Sequence, residues 1–139
     1  LTDRQGSVVT FLRPISGNHH DVYQLPKQLE ERIKELEKVG ISVDGLFLNV
    51  DAAFDSNDFR IICHQYGIIL NVPVNQRNSS EYLEQDNYFD YEMYQERYVV
   101  ERTNAWQDAY RSLLNRFDTT LDSWTAWHYI FAMLSWIKV

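Results

Sequence analysis

Two short apolar runs, Leu46-Phe-Leu-Asn-Val50 and Ile68-Ile-Leu-Asn-Val-Pro-Val74, flank a segment with helical spacing, and this alternation constrains the fold more than anything else in the chain. Each run is too short for a helix and reads as a buried strand. Between them, Asp55 or Ser56 can cap a helix whose apolar side is Phe59, Ile62, Cys63 and Tyr66, and Gly67 ends it. Strand, helix and strand in succession are most economically joined as a parallel βαβ crossover, so an α/β fold is expected.

The flanking segments add helices. Asp3-Arg-Gln-Gly6 reads as a turn between a clipped Leu1-Thr2 end and a β-rich run, Ser7–Leu12, and the polar stretch Ser16-Gly-Asn-His-His20 reads as a loop. A helix should follow to Val39, with Leu25, Leu29, Ile33 and Leu36 on one face and Gly40 as its stop. Residues 75–90 are polar and net acidic, which fits a surface connection or a small insertion. One long helix is then expected from about residue 90 to about 116, its apolar stripe being Val99, Trp106, Tyr110, Leu113 and Phe117. Asp122 or Ser123 should cap an aromatic-rich last helix.

A chain of 139 residues with 45% hydrophobic and 14% aromatic residues is large and apolar enough for one compact domain, 1–139. The formal charge of −7 argues against a free-standing electrostatic DNA binder, because phosphate neutralisation needs clustered Lys and Arg. Cys63 is the single cysteine, which suits a reducing cytoplasm and excludes an intramolecular disulfide. The apolar stretch 124–139 is shorter than the about 20 residues of a membrane span and is interrupted by His128 and Ser135, so no membrane association is expected. Leu1 in place of Met suggests a fragment.

The candidate chemistry rests on carboxylates. Asp51 stands at the end of the first apolar run, where open α/β sheets place ligand and metal sites; it also reads as the start of a turn, Asp51–Asp55. Tyr94, Arg97 and Glu101 are spaced 0, 3 and 7, which puts them on one face of the long helix; a solvated helix face is the plainer account of the same spacing. Asp55 fits a helix cap, Cys63 a core position, and His19, His20 and Asp21 a polar turn. There is no Gly-x-Ser-x-Gly elbow and no Gly-x-x-x-x-Gly-Lys loop to carry a serine-hydrolase or P-loop reading.

Three ordered segments resemble the catalytic domain of bacterial insertion-sequence transposases of the DDE type: Gly17-Asn-His-His20-Asp21, Leu48-Asn-Val-Asp51-Ala-Ala-Phe54-Asp55-Ser56, and Tyr94-x-x-Arg97-x-x-x-Glu101 running into Arg102-Thr-Asn-Ala-Trp106. The resemblance implies an RNase H-like mixed sheet flanked by helices, truncated so that the first catalytic strand is absent. It implies Asp51 and Glu101 as the second and third acidic residues, holding Mg²⁺ or Mn²⁺, with Arg97 on a DNA phosphate and Tyr94 as its aromatic neighbour. The first acidic residue would precede Leu1. The family often carries Lys seven residues after the Glu, where this chain has Asp108, and Arg111 one turn later is the candidate replacement. The implied parent binds transposon ends and target DNA, possesses strand-cleavage and strand-transfer activity in the bacterial cytoplasm or nucleoid, and can assemble as a homo-oligomer. This part alone is expected to be inactive. A reading from another class is a non-catalytic α/β interaction module whose aromatic last helix, with Trp124, Trp127, Phe131 and Trp136, docks a partner.

Overall fold

A computed structural model describes residues 1–15, 19, 23–74 and 89–137. The expected loop 16–20, with His20 and Asp21, lies outside these residues apart from His19, as does nearly all of the acidic connection 75–90. The protein is mixed α/β, with a two-stranded parallel sheet among helices. It divides into two compact units, a central one of residues 15–95 and a terminal one built from residues 1–14 together with 96–139.

In the central unit, helix α1 (Leu25–Lys38) buries Leu25, Leu29 and Ile33, as their spacing predicts, and Gln28 and Arg32 with them. Gly40, at φ +83°, closes it: the Gly40 amide donates to Glu37 O and the Ile41 amide to Leu36 O, satisfying carbonyls that the helix leaves open. On the solvent side Lys34 Nζ donates to Glu30 at 2.7 Å, which holds the Glu30 carboxyl below its ordinary pKa.

Strands β1 (Phe47–Asn49) and β2 (Ile69–Asn71) pair in parallel, Leu48 opposite Leu70 and Asn49 opposite Asn71. The ladder continues through Ile69 N to Leu46 O and Val50 N to Asn71 O. Helix α2 (Asn57–Gln65) crosses between them, so the expected βαβ unit is present. Of the two predicted caps, Ser56 performs the task, its Oγ accepting from Phe59 N at 3.4 Å. Asp55 does not cap; it is buried and bonded to Arg60 Nε at 2.7 Å, a charge-assisted contact that offsets its desolvation.

Cys63 is 1% exposed on the inner side of α2. Burial pushes its thiol up to about 12, against an opposing influence of Arg60. Native protein at pH 8 should therefore resist iodoacetamide, while urea-unfolded protein is alkylated at the rate of a free thiol. Equal rates in both states would contradict this packing. Since the raised value belongs to the folded form, the thiol's contribution to stability is intact below its ordinary value of 9.0 and declines as pH rises toward about 12.

In the terminal unit the predicted turn forms. Asp3 Oδ1 accepts from the amides of Gln5 and Ser7, and Thr2 bridges Val8 in antiparallel sense. The expected strand 7–12 does not develop beyond that bridge. Helix α6 (Leu121–Ile137) takes the place of a second strand: Ser135 Oγ accepts from Val8 N at 2.9 Å and Trp136 Nε1 donates to Val8 O at 2.8 Å. With both backbone groups of Val8 so engaged, they are unavailable to a further strand. Val8, Leu113 and Phe131 form the core, and Trp106 and Tyr110 present ring edges to Phe131 at 5.5 and 5.6 Å.

The single helix expected over about 90–116 is instead three: α3 (Tyr91–Gln95), α4 (Tyr98–Asp108) and α5 (Arg111–Leu114). At the first interruption the Val99 and Val100 amides turn back to Glu96 and Arg97, three residues away, where Tyr98-Val-Val100 is a poor helix-forming run. At the second, Tyr110 takes an extended conformation (φ −90°, ψ 104°) that accompanies its ring packing on Phe131. Phe117 consequently leaves the predicted apolar stripe and is exposed. Thr120, rather than Asp122 or Ser123, caps α6, its Oγ1 accepting from Ser123 N at 3.2 Å. His128 accompanies it in the turn above, with Nδ1 3.0 Å from Trp124 O and its ring against Phe11.

Candidate functional site

Asp51 lies two residues past β1, at the carboxyl end of the parallel pair. It is also the cap of a 3₁₀ turn, Ala52–Phe54, with Oδ1 accepting from Ala53 N at 3.0 Å and its carbonyl accepting from Phe54 N. Both sequence readings of Asp51 therefore describe the same residue: it starts a turn, and the turn begins where the sheet ends. The Ala53 amide fixes one carboxylate oxygen, which orients the group without exhausting its capacity to accept.

Beside it is a polar network that none of the sequence motifs includes. Asn71, 0% exposed, donates through Nδ2 to Asn49 Oδ1 (2.7 Å) and to Asp90 O (2.9 Å), and its Oδ1 accepts from Asp90 N (2.8 Å). Asn49 Nδ2 in turn donates to Met93 O, and Asp90 Oδ1 accepts from Met93 N, both at 2.9 Å. The ends of both strands are thus tied to the first turn of α3, which carries Tyr94. A signal was present: Leu-Asn-Val occurs twice, at 48–50 and 70–72, and the parallel register sets the two copies side by side.

Tyr94 sits on α3 against Phe89, with ring centroids 5.2 Å apart. Arg97 follows the interruption, and Glu101 is on α4. The uninterrupted helix face expected to hold all three is therefore absent, because Tyr94 and Glu101 belong to different helices. Arg97 and Glu101 do meet, Nη2 to Oε1 at 3.3 Å, with the glutamate side chain 66% exposed. A pair so open to water contributes little to stability, and a phosphate can compete for the guanidinium. Arg111 is separated from Asp108 by the second interruption and begins α5.

Asp51 and Glu101 are hard-oxygen donors of the kind that Mg²⁺ and Mn²⁺ take. They fit the ions in kind but not in number, since among the described residues no three His, Cys, Asp or Glu side chains are gathered to hold a metal. Charge divides unevenly. The terminal unit has seven basic and six acidic residues in sequence, the central unit six and fourteen, so the excess acid belongs to the central unit alone. The whole-chain charge of −7 is therefore a poor guide to what the terminal unit, with Arg4, Arg13, Arg97, Arg102, Arg111 and Arg116, can approach. Among the described residues no helix is long and apolar enough to cross a membrane. No protein-family model, curated protein or solved structure matches the chain.

Proposed function

We propose that this chain is part of an RNase H-like catalytic domain of a DDE-type transposase that cleaves and joins DNA in the bacterial cytoplasm or nucleoid. The observation that carries the reading is the position of Asp51, just past the end of a strand in a parallel βαβ unit and oriented by the turn it caps. Supporting it are the order of the sequence motifs and the arginine content of the terminal unit.

In this reading the carboxylates of Asp51 and Glu101 would be donors to Mg²⁺ or Mn²⁺. The bound ions would activate the attacking oxygen and stabilise the leaving one during displacement at phosphorus. Arg97 exchanges Glu101 for a DNA phosphate, which frees the glutamate carboxylate as the backbone is gripped. The Asn49, Asn71 and Asp90 network holds α3, and with it Tyr94, at the strand ends.

In the protein encoded by the intact gene, Glu101→Gln should slow Mg²⁺-dependent cleavage of a DNA end substrate while circular dichroism is unchanged. Cleavage at the normal rate would remove Glu101 from the mechanism. The second reading, an interaction module, is favoured by one observation: α6 leaves Trp127, Met133 and Trp136 about half exposed or more.

A further inference from the structure

Only one of the five glycines follows an aspartate or asparagine: Gly45, after Asp44. The pair is chemically distinct because glycine has no Cβ to shield its nitrogen, and that nitrogen reaches the carboxyl carbon of the preceding side chain through a five-membered ring. Both residues are exposed, so water has access to them. They form the middle of a turn closed by Leu46 N donating to Val43 O at 3.0 Å, with Gly45, at φ +78°, in the third position, where glycine is favoured.

In the folded central unit both reacting groups are held elsewhere. Gly45 N donates to Gly67 O at 2.9 Å, just before the ladder of β1 and β2 continues through Ile69 N to Leu46 O. The Asp44 carboxylate lies so close over Gly67 that a side chain at that glycine would collide with it. One residue, immediately past the end of α2, therefore engages the nucleophile through its carbonyl and the electrophile through its bare Cα.

We propose that Asp44 and Gly45 form a covalent modification site, an aspartate isomerisation held closed by Gly67 and released when this end of the strand pair opens. In the open chain Gly45 N attacks Cγ of the Asp44 carboxyl: the Cγ–N bond forms, the bond from Cγ to the hydroxyl oxygen breaks, and that hydroxyl leaves with the amide proton as water. Water then adds to either carbonyl of the cyclic imide. Breaking the new Cγ–N bond restores aspartate, whereas breaking the original bond from Asp44 C to Gly45 N leaves the chain running through the side chain as isoaspartate. One water is lost and one regained, so no oxidant or cofactor is required and mass is unchanged. The product carries an extra main-chain methylene inside the turn that sets Leu46 against Ile69, which works against recovery of the β1 and β2 register.

The inference does not rest on the transposase reading, and its test uses no DNA. Purified chain is incubated at neutral pH, folded or in urea. Isoaspartate is then measured by enzymatic methyl transfer from S-adenosylmethionine and located by peptide mapping. The unfolded chain should accumulate it at residue 44, and the folded chain should do so more slowly by about tenfold or more, as opening must precede reaction. Asp44→Glu, which would need a six-membered ring, should accumulate none there. Gly67→Ala, whose methyl displaces the Asp44 carboxylate, should bring the folded rate toward the unfolded one. Should that variant fail to fold, the comparison of folded with urea-unfolded wild type decides alone. Equal rates in those two states overturn the inference, as does an unfolded chain without isoaspartate at residue 44. A folded Gly67→Ala chain as protected as the wild type overturns it too.

Discussion

Phe131→Ala is expected to lower the unfolding free energy by about 3–5 kcal/mol, a large part of the about 5–15 kcal/mol of an ordinary domain. Phe131 is 1% exposed and lies where Val8 from the beginning of the chain meets Leu113, Trp106 and Tyr110 from its later part. Deleting the ring removes its transfer free energy and leaves a cavity. The walls of that cavity are two large aromatic rings set edge-on to Phe131, which cannot both move in without losing their other contacts. Phe131→Leu, which keeps most of the volume, should cost distinctly less. Urea unfolding followed by tryptophan fluorescence measures both. A loss below about 1 kcal/mol for the alanine variant would mean that this core is not the one holding the terminal unit together.

Asn71→Leu should cost about 3 kcal/mol although the two side chains have the same branching and number of heavy atoms. The substitution leaves the Asp90 amide without its 2.8 Å acceptor and takes the Nδ2 donor from Asn49 Oδ1 and Asp90 O. Each orphaned group costs about 1–3 kcal/mol if it stays dry, which bounds the loss from below. Asn71→Asp separates this account from simple overpacking. It preserves shape but turns a donor into an anionic oxygen facing two acceptors, so its deficit should be largest near neutral pH and shrink as acid protonates the new carboxyl. A deficit independent of pH would point to packing rather than to the network.

How much of this was legible from the sequence follows the range of the interactions involved. The βαβ unit is legible from its short connection although Phe47 pairs with the distant Ile69, the cap of α2 only as Asp55 or Ser56, and helix α1 with its Gly40 stop and the Asp3–Gly6 turn, which depend on neighbours a few residues away, are legible outright. The long helix was not. Its apolar stripe was real in Val99, Trp106, Tyr110 and Leu113, but Tyr110 adopts an extended backbone as it packs on a residue of α6, a demand no local pattern contains. The strand at Ser7–Leu12 was overpredicted for a similar reason, since β-branched residues signal extended chain without saying whether a strand or a helix side chain will receive its hydrogen bonds.

For the candidate site, the sequence offers Asp51 by position and Tyr94, Arg97 and Glu101 by spacing, and of these Arg97 and Glu101 are in contact. It did not reveal that the helix breaks between Tyr94 and Glu101. Nor did it show that the two Leu-Asn-Val copies lie side by side, although both were in view, because register is a property of paired strands.

The sequence by itself determined helix α1 and its stop, the strand, helix and strand succession and the Asp3–Gly6 turn, because capping, glycine conformation and hydrophobic spacing act within a turn or two. Only the tertiary structure decided that residues 1–14 join residues 96–139, so that Val8 is bonded to Ser135 and Trp136 more than a hundred positions away. The residues so joined carry nearly balanced charge, and the excess acid belongs to residues 15–95. The reason is physical: burial and buried hydrogen-bond satisfaction are conditions on what meets in space, and a linear pattern specifies what each residue requires without specifying which distant residue will supply it.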